Sequence, residues 1–198
     1  MKIKIIPAGI YLANCYIVMD EITSEALVID PGGDAPEIIK EIKKMKAKIK
    51  YIFLTHGHAD HTEACLEIKN DFKAPICMNI KDQEYIKMHE DMFGTIGEAD
   101  ILLSGDDTYK VGSMNIKCIE TPGHTPGGLS FLVDDVLFSG DTLFDRSIGR
   151  TDFTGGDFDT LISSIKEKLL ILPDSTIVYP GHGPSTTIIR EKKMNNFL

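Results

Sequence analysis

Short apolar runs rich in β-branched and aromatic residues recur along the chain and predict β-strands. Glycine, proline, aspartate or asparagine lies at or near the ends of most of these runs, and these residues favour turns. The runs cover residues 3–6, 16–19, 26–29, 51–54, 116–119, 129–133, 136–138 and 177–179. We predict a strand at each of them.

Four other segments carry apolar residues at helical spacing. Residues 35–45 place Ile38, Ile42 and Met45 on one face with lysines opposite, which predicts an amphipathic helix. Residues 159–172 repeat the pattern, and shorter helices are predicted at residues 62–70 and 187–195. Residues 89–103 have weak periodicity and two glycines, so we expect a surface loop or a short helical excursion there.

The order of these elements indicates the fold class. Many strands interrupted by single helices, each of which must cover a sheet face, favour a layered α/β sandwich with mixed sheets. The chain has no internal repeat, no low-complexity tract and no long flexible linker. We therefore expect one domain that spans residues 1–198.

Composition and charge indicate which kinds of molecule the protein does not bind. The 198 residues are 42% apolar and 26% charged, which is typical of a globular protein. The net charge of −9 argues against nucleic acid as a partner. No apolar run approaches the ~20 residues that cross a bilayer, and no signal peptide is visible. We expect a cytoplasmic protein without a membrane partner, as a monomer or small homo-oligomer, with four scattered cysteines as reduced thiols.

Five of the six histidines directly follow strand-like runs, which is not a core-packing pattern. Thr55-His-Gly-His-Ala-Asp-His61 holds three imidazoles and a carboxylate, and its small Gly57 and Ala59 let the chain turn tightly enough for the side chains to converge. His89, in a polar helical context, is expected to be structural. The cluster therefore predicts a metal site.

Three further ligand-type residues end other strand-like runs. One lies in Thr121-Pro-Gly-His-Thr-Pro-Gly-Gly128, one ends Leu137-Phe-Ser-Gly-Asp141, and one lies in Tyr179-Pro-Gly-His-Gly-Pro184. Prolines and glycines in two of these loops stiffen the backbone that presents the side chain. The complete set of candidate metal ligands is His56, His58, Asp60, His61, His124, Asp141 and His182.

Seven ligands without a thiolate exceed the four of a closed structural zinc site. They fit two divalent metal ions, and imidazole with carboxylate suits zinc, iron(II) or manganese. A pair of ions can lower the pKa of a bound water towards neutrality and generate a hydroxide nucleophile. The pattern therefore predicts a metal-dependent hydrolase.

The T-H-x-H-x-D-H run and the later His, Asp and His resemble the metallo-β-lactamase superfamily. Residues 14–18, 28–33, 140–144 and 149–153 are similar to its short bacterial branch grouped with hydroxyacylglutathione hydrolase, or glyoxalase II. The resemblance implies an α/β fold, an αββα four-layer sandwich of two mixed sheets with the metals at one edge. It also implies a small acyl-thioester substrate such as S-lactoylglutathione, attacked by metal-bound hydroxide.

The same resemblance implies a role for each ligand. One ion, zinc being favoured over iron or manganese, would be held by His56, His58 and His124. The second would be held by Asp60, His61 and His182, with Asp141 as the bridge. Asp60 would also have a catalytic role, since it would orient the hydroxide. β-Lactamases of the best-known class usually have cysteine at the position of Asp141, which argues against that activity here.

Other functions remain open at this point. A persulfide dioxygenase with one iron shares the histidine motif and the Gly149-Arg-Thr-Asp-Phe153 stretch. Hydrolysis of a lactone or another small ester, and a catalytically silent metal-binding protein, are further alternatives.

The chain has only three arginines, and Arg150 resembles by position a lysine through which glyoxalase II contacts glutathione. We expect Arg150 and the neighbouring Thr151 hydroxyl to contact the anionic part of the substrate. The alternative is an ion pair of Arg150 with Asp152 or Asp157.

Overall fold

The computed structural model describes residues 1–198 and contains two six-stranded sheets. The first sheet is formed by the N-terminal half of the chain, with strands in sequence order. Its first three strands are antiparallel, and the third to the sixth are parallel. The strands are β1 (Lys2–Ala8), β2 (Ala13–Met19), β3 (Glu25–Ile29), β4 (Lys48–Phe53), β5 (Ile76–Asn79) and β6 (Ile101–Leu103).

The second sheet is formed by the C-terminal half. In sequence order the strands of this half of the chain are β7 (Thr108–Val111), β8 (Met114–Glu120), β9 (Leu129–Val133), β10 (Val136–Gly140), β11 (Leu143–Phe144), β12 (Ser147–Ile148), β13 (Ile177–Pro180) and β14 (Thr186–Thr187). The sheet has the order β14-β13-β10-β9-β8-β7, while β11 and β12 form a separate small hairpin. Only β10 and β13 pair in parallel, so both large sheets are mixed.

Helices cover the outer face of each sheet. They are α1 (Ala35–Met45), α2 (Ala59–Thr62), α3 (Cys65–Phe72), α4 (Ile80–Met88), α5 (Phe158–Ser164) and α6 (Ile188–Met194). One apolar cluster lies between the first sheet and α1, α3 and α4, a second lies between the sheets, and a third joins the second sheet to α5 and α6. The predicted αββα four-layer sandwich is thereby confirmed.

Strand β2 shows why the apolar runs are continuous. Cys15 and Ile17 pack towards the helices, whereas Tyr16 and Val18 pack towards the second sheet. Because successive side chains point to opposite faces and both faces are covered, the positions from Cys15 to Met19 are all apolar. The strand therefore reads as an unbroken run instead of an alternating one.

Two predicted helices are interrupted. The helix predicted at residues 62–70 is α2 and α3, separated at Glu63–Ala64, where the Ala64 N–H donates to the Pro31 carbonyl (2.9 Å) instead of extending one helix. The helix predicted at residues 159–172 begins as α5 and changes at Ile165 to a π-helical segment, Ile165–Leu169.

Residues 89–103 are irregular, as predicted, but they are not wholly a surface loop. Phe93 and Ile96 are buried, and the end of the segment forms β6. The four cysteines are buried and free, and their reduced state stays a prediction. None of the helices combines the length and apolar character that a bilayer crossing requires.

Candidate metal centre

Seven side chains predicted as ligands converge at one edge of the two sheets. Four come from the loop and short helix that follow β4, and the other three follow β8, β10 and β13. Ligands from the first sheet therefore meet ligands from the second. The convergent residues are His56, His58, Asp60, His61, His124, Asp141 and His182.

The first ligand group consists of His56, His58 and His124, whose ring nitrogens lie within 4.8 Å of one another. The Nε2 atom of His124 is 3.0 Å from Nδ1 of His58, and His56 Nε2 is buried without a hydrogen-bond partner. Two ligands bound at about 2.1 Å in tetrahedral geometry are about 3.4 Å apart. The spacing therefore fits an ion between these rings.

The second ligand group consists of Asp60, His61 and His182. The His182 Nε2 atom lies 3.3 Å from His61 Nε2 and 3.3 Å from Asp60 Oδ2. These separations match those expected for ligands around one ion. The three residues thus form a second pocket of the right size and ligand type.

Asp141 lies between the two groups. Its Oδ2 atom is 3.7 Å from His124 Nε2 and 3.7 Å from His182 Nε2, while Oδ1 is 3.5 Å from His61 Nε2 and has no hydrogen-bond partner. A Cβ atom at Gly181 would lie 2.1 Å from that Oδ1 atom, so glycine is required for the carboxylate to fit here. One carboxylate can therefore reach both groups.

The ionisation of these side chains suits metal binding, which needs neutral imidazoles and ionised carboxylates. Burial lowers the pKa of His56, and burial together with the nearby His124 lowers that of His58 to about 3. Burial opposes ionisation of Asp60, but the adjacent His182 and His61 lower its pKa to about 2.

His61 and His182 differ from His56 and His58. Burial acts to lower the pKa of His182, but the nearby Asp60 and Asp141 outweigh burial and raise it. Burial also acts to lower the pKa of His61, but Asp141 and Asp30 outweigh burial and raise the pKa to about 9. In the metal-free protein His61 therefore carries a proton at neutral pH, which a bound cation would replace.

Hydrogen bonds to Nδ1 of His56 and of His61 leave the Nε2 atom of each ring directed at the metal centre. Asp30, which has a left-handed backbone (φ 50°), accepts from the Thr55 hydroxyl (2.6 Å) and from His61 Nδ1 (3.0 Å). Because the Thr55 hydroxyl donates to Asp30, its oxygen accepts from His56 Nδ1 (3.0 Å). Such partners fix the ring orientation and the tautomer of a metal-binding histidine.

Asp82 joins the two loops that supply the first ligand group. Its buried carboxylate accepts hydrogen bonds from the Gly57 N–H (2.9 Å), the Thr125 hydroxyl (2.8 Å) and the Gly127 N–H (2.6 Å). Gly57 lies between His56 and His58, and Thr125 follows His124. Asp82 was not predicted from the sequence, because nothing next to it in the chain points to these two loops.

A cavity of about 570 Å³, called here the first cavity, opens directly above the ligands. Its wall combines polar ligand atoms with apolar side chains, an arrangement typical of sites for small molecules. Besides the ligands His58, Asp60, His124, Asp141 and His182, the lining residues are Tyr11, Met92, Phe144, Ser147, Ile148, Arg150 and Phe153.

Arg150 lines the first cavity and also forms an ion pair with Asp152. Its Nε and one terminal nitrogen each donate to Asp152 at 2.7 Å, and its guanidinium lies 3.7 Å from the centre of the Phe153 ring. Thr151 lies outside the residues that line the cavity. Substrate contact by these two residues stays a prediction. His89 caps the C-terminal end of α4 and takes no part in the ligand groups.

Comparison with known proteins identifies the family. Residues 8–182 match the sequence profile of the metallo-beta-lactamase superfamily. The chain belongs to the metallo-beta-lactamase superfamily. Membership agrees with both the fold and the ligand groups, and it implies that metal ions bind at this edge of the sheets.

Relatives in the superfamily cover the whole chain. Hydroxyacylglutathione hydrolase GloC of Haemophilus influenzae is 40% identical over 100% of this chain and 98% of its own length. The crystal structure of the BLEG-1 B3 metallo-beta-lactamase has a TM-score of 0.92 at 38% identity, covering 100% of this chain and 99% of that one. The structure of ETHE1 from Myxococcus xanthus has a TM-score of 0.86 at 29% identity, covering 99% and 84%.

Proposed function

We propose that this metallo-hydrolase cleaves thioesters of the S-lactoylglutathione type. The observation that carries the proposal is the pair of ligand groups that share Asp141 beneath an open cavity. The 40% identity to a hydroxyacylglutathione hydrolase over the full chain supports the same substrate class.

The residues present fit two divalent ions, with zinc favoured and iron or manganese as alternatives. His56, His58 and His124 would hold one ion, Asp60, His61 and His182 the other, and Asp141 would contact both. Bound ions of this kind lower the pKa of water and polarise a carbonyl group.

The protein's own contribution is orientation and charge. Asp60 is ionised, with Oδ2 directed towards His182 (3.3 Å) at the cavity wall. Its carboxylate can therefore accept a hydrogen bond from the attacking water and align it with the thioester carbonyl. The departing thiolate needs no strong general acid, because a thiol has a pKa of about 8.5.

A persulfide dioxygenase with one iron is the second candidate. The likeness to the ETHE1 structure and the Gly149–Phe153 stretch favour it. The ligand groups do not separate the two candidates, because the dioxygenase shares the histidine motif, whereas metal content and oxygen uptake do separate them.

Metal analysis and substrate turnover separate the candidates. Protein purified without added metal should contain two equivalents of metal and hydrolyse S-lactoylglutathione. One equivalent of iron, with oxygen uptake on addition of glutathione persulfide, would contradict the proposal. A cephalosporin belongs in the same screen because of the BLEG-1 likeness, and its hydrolysis in preference to every thioester would also contradict it.

Asp60→Asn tests the orienting role. This substitution keeps the shape of the side chain and removes its charge, so we expect weaker metal occupancy and a kcat that falls far more than KM changes. Asp159→Asn, at an exposed position on α5, is the matched control. An unaltered kcat in fully metallated Asp60→Asn protein would exclude the role.

A further inference from the structure

A second cavity of about 380 Å³ lies beside the metal centre. Asp60 and Tyr11 line both this second cavity and the first cavity. The two cavities therefore meet at a proposed metal ligand, and a substrate whose reacting carbonyl lies at the ligands can extend into each of them. The volume falls within the range of about 300–1,000 Å³ typical of small-molecule sites.

The walls of the second cavity are largely apolar. Phe93 and Ile96 form its buried side, and Phe93 also packs against the ring of His58, with centroids 4.9 Å apart. Ile10 is 87% exposed and Leu66 is 43% exposed. Apolar side chains exposed together beside an active site mark a surface that binds an apolar group.

The charges of the two cavities differ. The second cavity has Asp60 and Glu63 as its charged lining residues and no lysine or arginine. The first cavity also has two carboxylates, Asp60 and Asp141, but it adds a basic residue, Arg150, and three histidines. Only the first cavity therefore offers a cation to a substrate carboxylate, whereas the second presents two acidic groups without one. An uncharged arm of the substrate fits the second cavity better.

We propose that the second cavity binds the acyl arm of the thioester and selects uncharged apolar acyl groups longer than acetyl. The anionic thiol arm then occupies the first cavity. This inference rests on the proposed thioesterase function. It adds a substrate class to that function, namely thioesters that carry a medium-length aliphatic acyl group.

Chain length and charge of the acyl group test the inference directly. The probes are S-acetyl-, S-butyryl-, S-hexanoyl- and S-succinylglutathione. Each added methylene should raise kcat/KM by about fourfold until the cavity is full, the factor expected for burial of one methylene. Succinyl has the same number of carbons as butyryl but a carboxylate in place of the terminal methyl group. Its kcat/KM should be at least tenfold lower than that of butyryl.

Leu66→Trp should fill the second cavity. We expect the ratio of kcat/KM for hexanoyl over acetyl to fall at least fivefold in this variant, with the metal content retained. Leu102→Trp places the same side chain at a similarly exposed leucine (51%) on β6, outside both cavities, and should keep the wild-type ratio.

Each outcome distinguishes this inference from the proposed function. Hydrolysis of no thioester at all overturns both. Hydrolysis without dependence on acyl length, or a hexanoyl/acetyl ratio equally changed in Leu66→Trp and Leu102→Trp, overturns the second-cavity assignment alone.

Discussion

Asp82 is a buried carboxylate whose hydrogen-bond donors are two backbone N–H groups and one hydroxyl, with no cation among them. Burial raises its pKa, although the hydrogen bond from Thr125 and those from the two glycines oppose the rise. Burial of such a group costs folding free energy, and its presence here is explained by a structural role. Here it fixes the distance between the loop of His56 and His58 and the loop of His124.

Asp82→Asn should therefore weaken metal retention. The amide keeps the size of the side chain but presents an NH₂ group to at least one N–H or hydroxyl donor, which spreads the two loops. We expect metal affinity to fall about 10- to 100-fold, the usual effect of changing a group that orients metal ligands. Competition with a chromogenic chelator measures it, and the exposed Asp159→Asn is the control. Equal affinities in the two variants would contradict this role.

Arg150 offers a second test at the residue scale. If its guanidinium binds the anionic thiol arm, Arg150→Ala should raise KM for S-lactoylglutathione about 10- to 100-fold, the effect expected for loss of a hydrogen bond to a charged group. Metal content should not change. Asp152→Ala releases the guanidinium from its present partner and should lower KM. If both variants leave KM unchanged, Arg150 serves only its pairing with Asp152.

The sequence predicted the candidate ligands but not the residues that orient them. His56, His58 and His61 could be recognised because one short loop carries all three with a carboxylate. Asp30 and Asp82 each contact that loop from 25 residues away or more along the chain. Their roles depend on which way the side chain points after the strands have paired, which a local pattern does not encode.

At the scale of elements, amphipathic periodicity predicted a helix correctly where one helix face is exposed. It did not predict the short strands or the helix without segregated faces. Helix α1 has the predicted bounds, Ala35–Met45. Strands β5 and β6 were missed because they are only four and three residues long. Helix α4 was missed because its polar and apolar residues are not segregated on two faces. The breaks at Ala64 and Ile165 depend on tertiary contacts and hydrogen bonds that no periodicity reveals.

Asp20 ties the turn after β2 to the turn between β7 and β8. Its carboxylate accepts from the Ser113 N–H (2.9 Å) and from the hydroxyl of Thr23 (2.8 Å). The Ser113 N–H is the leading cause that lowers the Asp20 pKa to about 2. Because folding lowers the pKa of Asp20, its ionised carboxylate contributes fully to the free energy of unfolding above the ordinary aspartate pKa of about 4. That contribution disappears as the pH falls through about 2.

Asp20→Asn should thus be less stable than wild type at pH 6, and the difference should narrow steadily between pH 4 and pH 2. Urea unfolding at a series of pH values measures the free energy of unfolding. A difference that stays constant down to pH 2 would show that the charge of Asp20 contributes nothing to this link between the sheets.

At the scale of the whole molecule, each ligand group takes residues from both sheets. His56 and His58 follow β4 of the first sheet, and His124 follows β8 of the second. The other group likewise combines Asp60 and His61 with His182, which follows β13. Bound ions would therefore connect the two halves of the chain.

Metal removal should lower the melting temperature. An ion that binds only the native state stabilises it by about 4 kcal/mol when its free concentration is a thousand times its Kd. For a chain of this size that corresponds to about 10 °C per site. Thermal unfolding with and without a chelator measures the change. Asp141→Ala, expected to lose metal, should melt at the same temperature in both conditions, and a wild-type protein indifferent to the chelator would contradict the prediction.

The division of the chain into two consecutive sheets also affects its synthesis on the ribosome. All six strands of the first sheet precede residue 104, and the second sheet lies within residues 108–187. At about 5–20 residues per second, the first sheet waits about 4 to 16 s for its partner. Throughout that time Tyr16, Leu27 and Phe53, which later face the second sheet, lie on an uncovered apolar surface. That interval is when the nascent chain is most exposed to aggregation and to capture by chaperones.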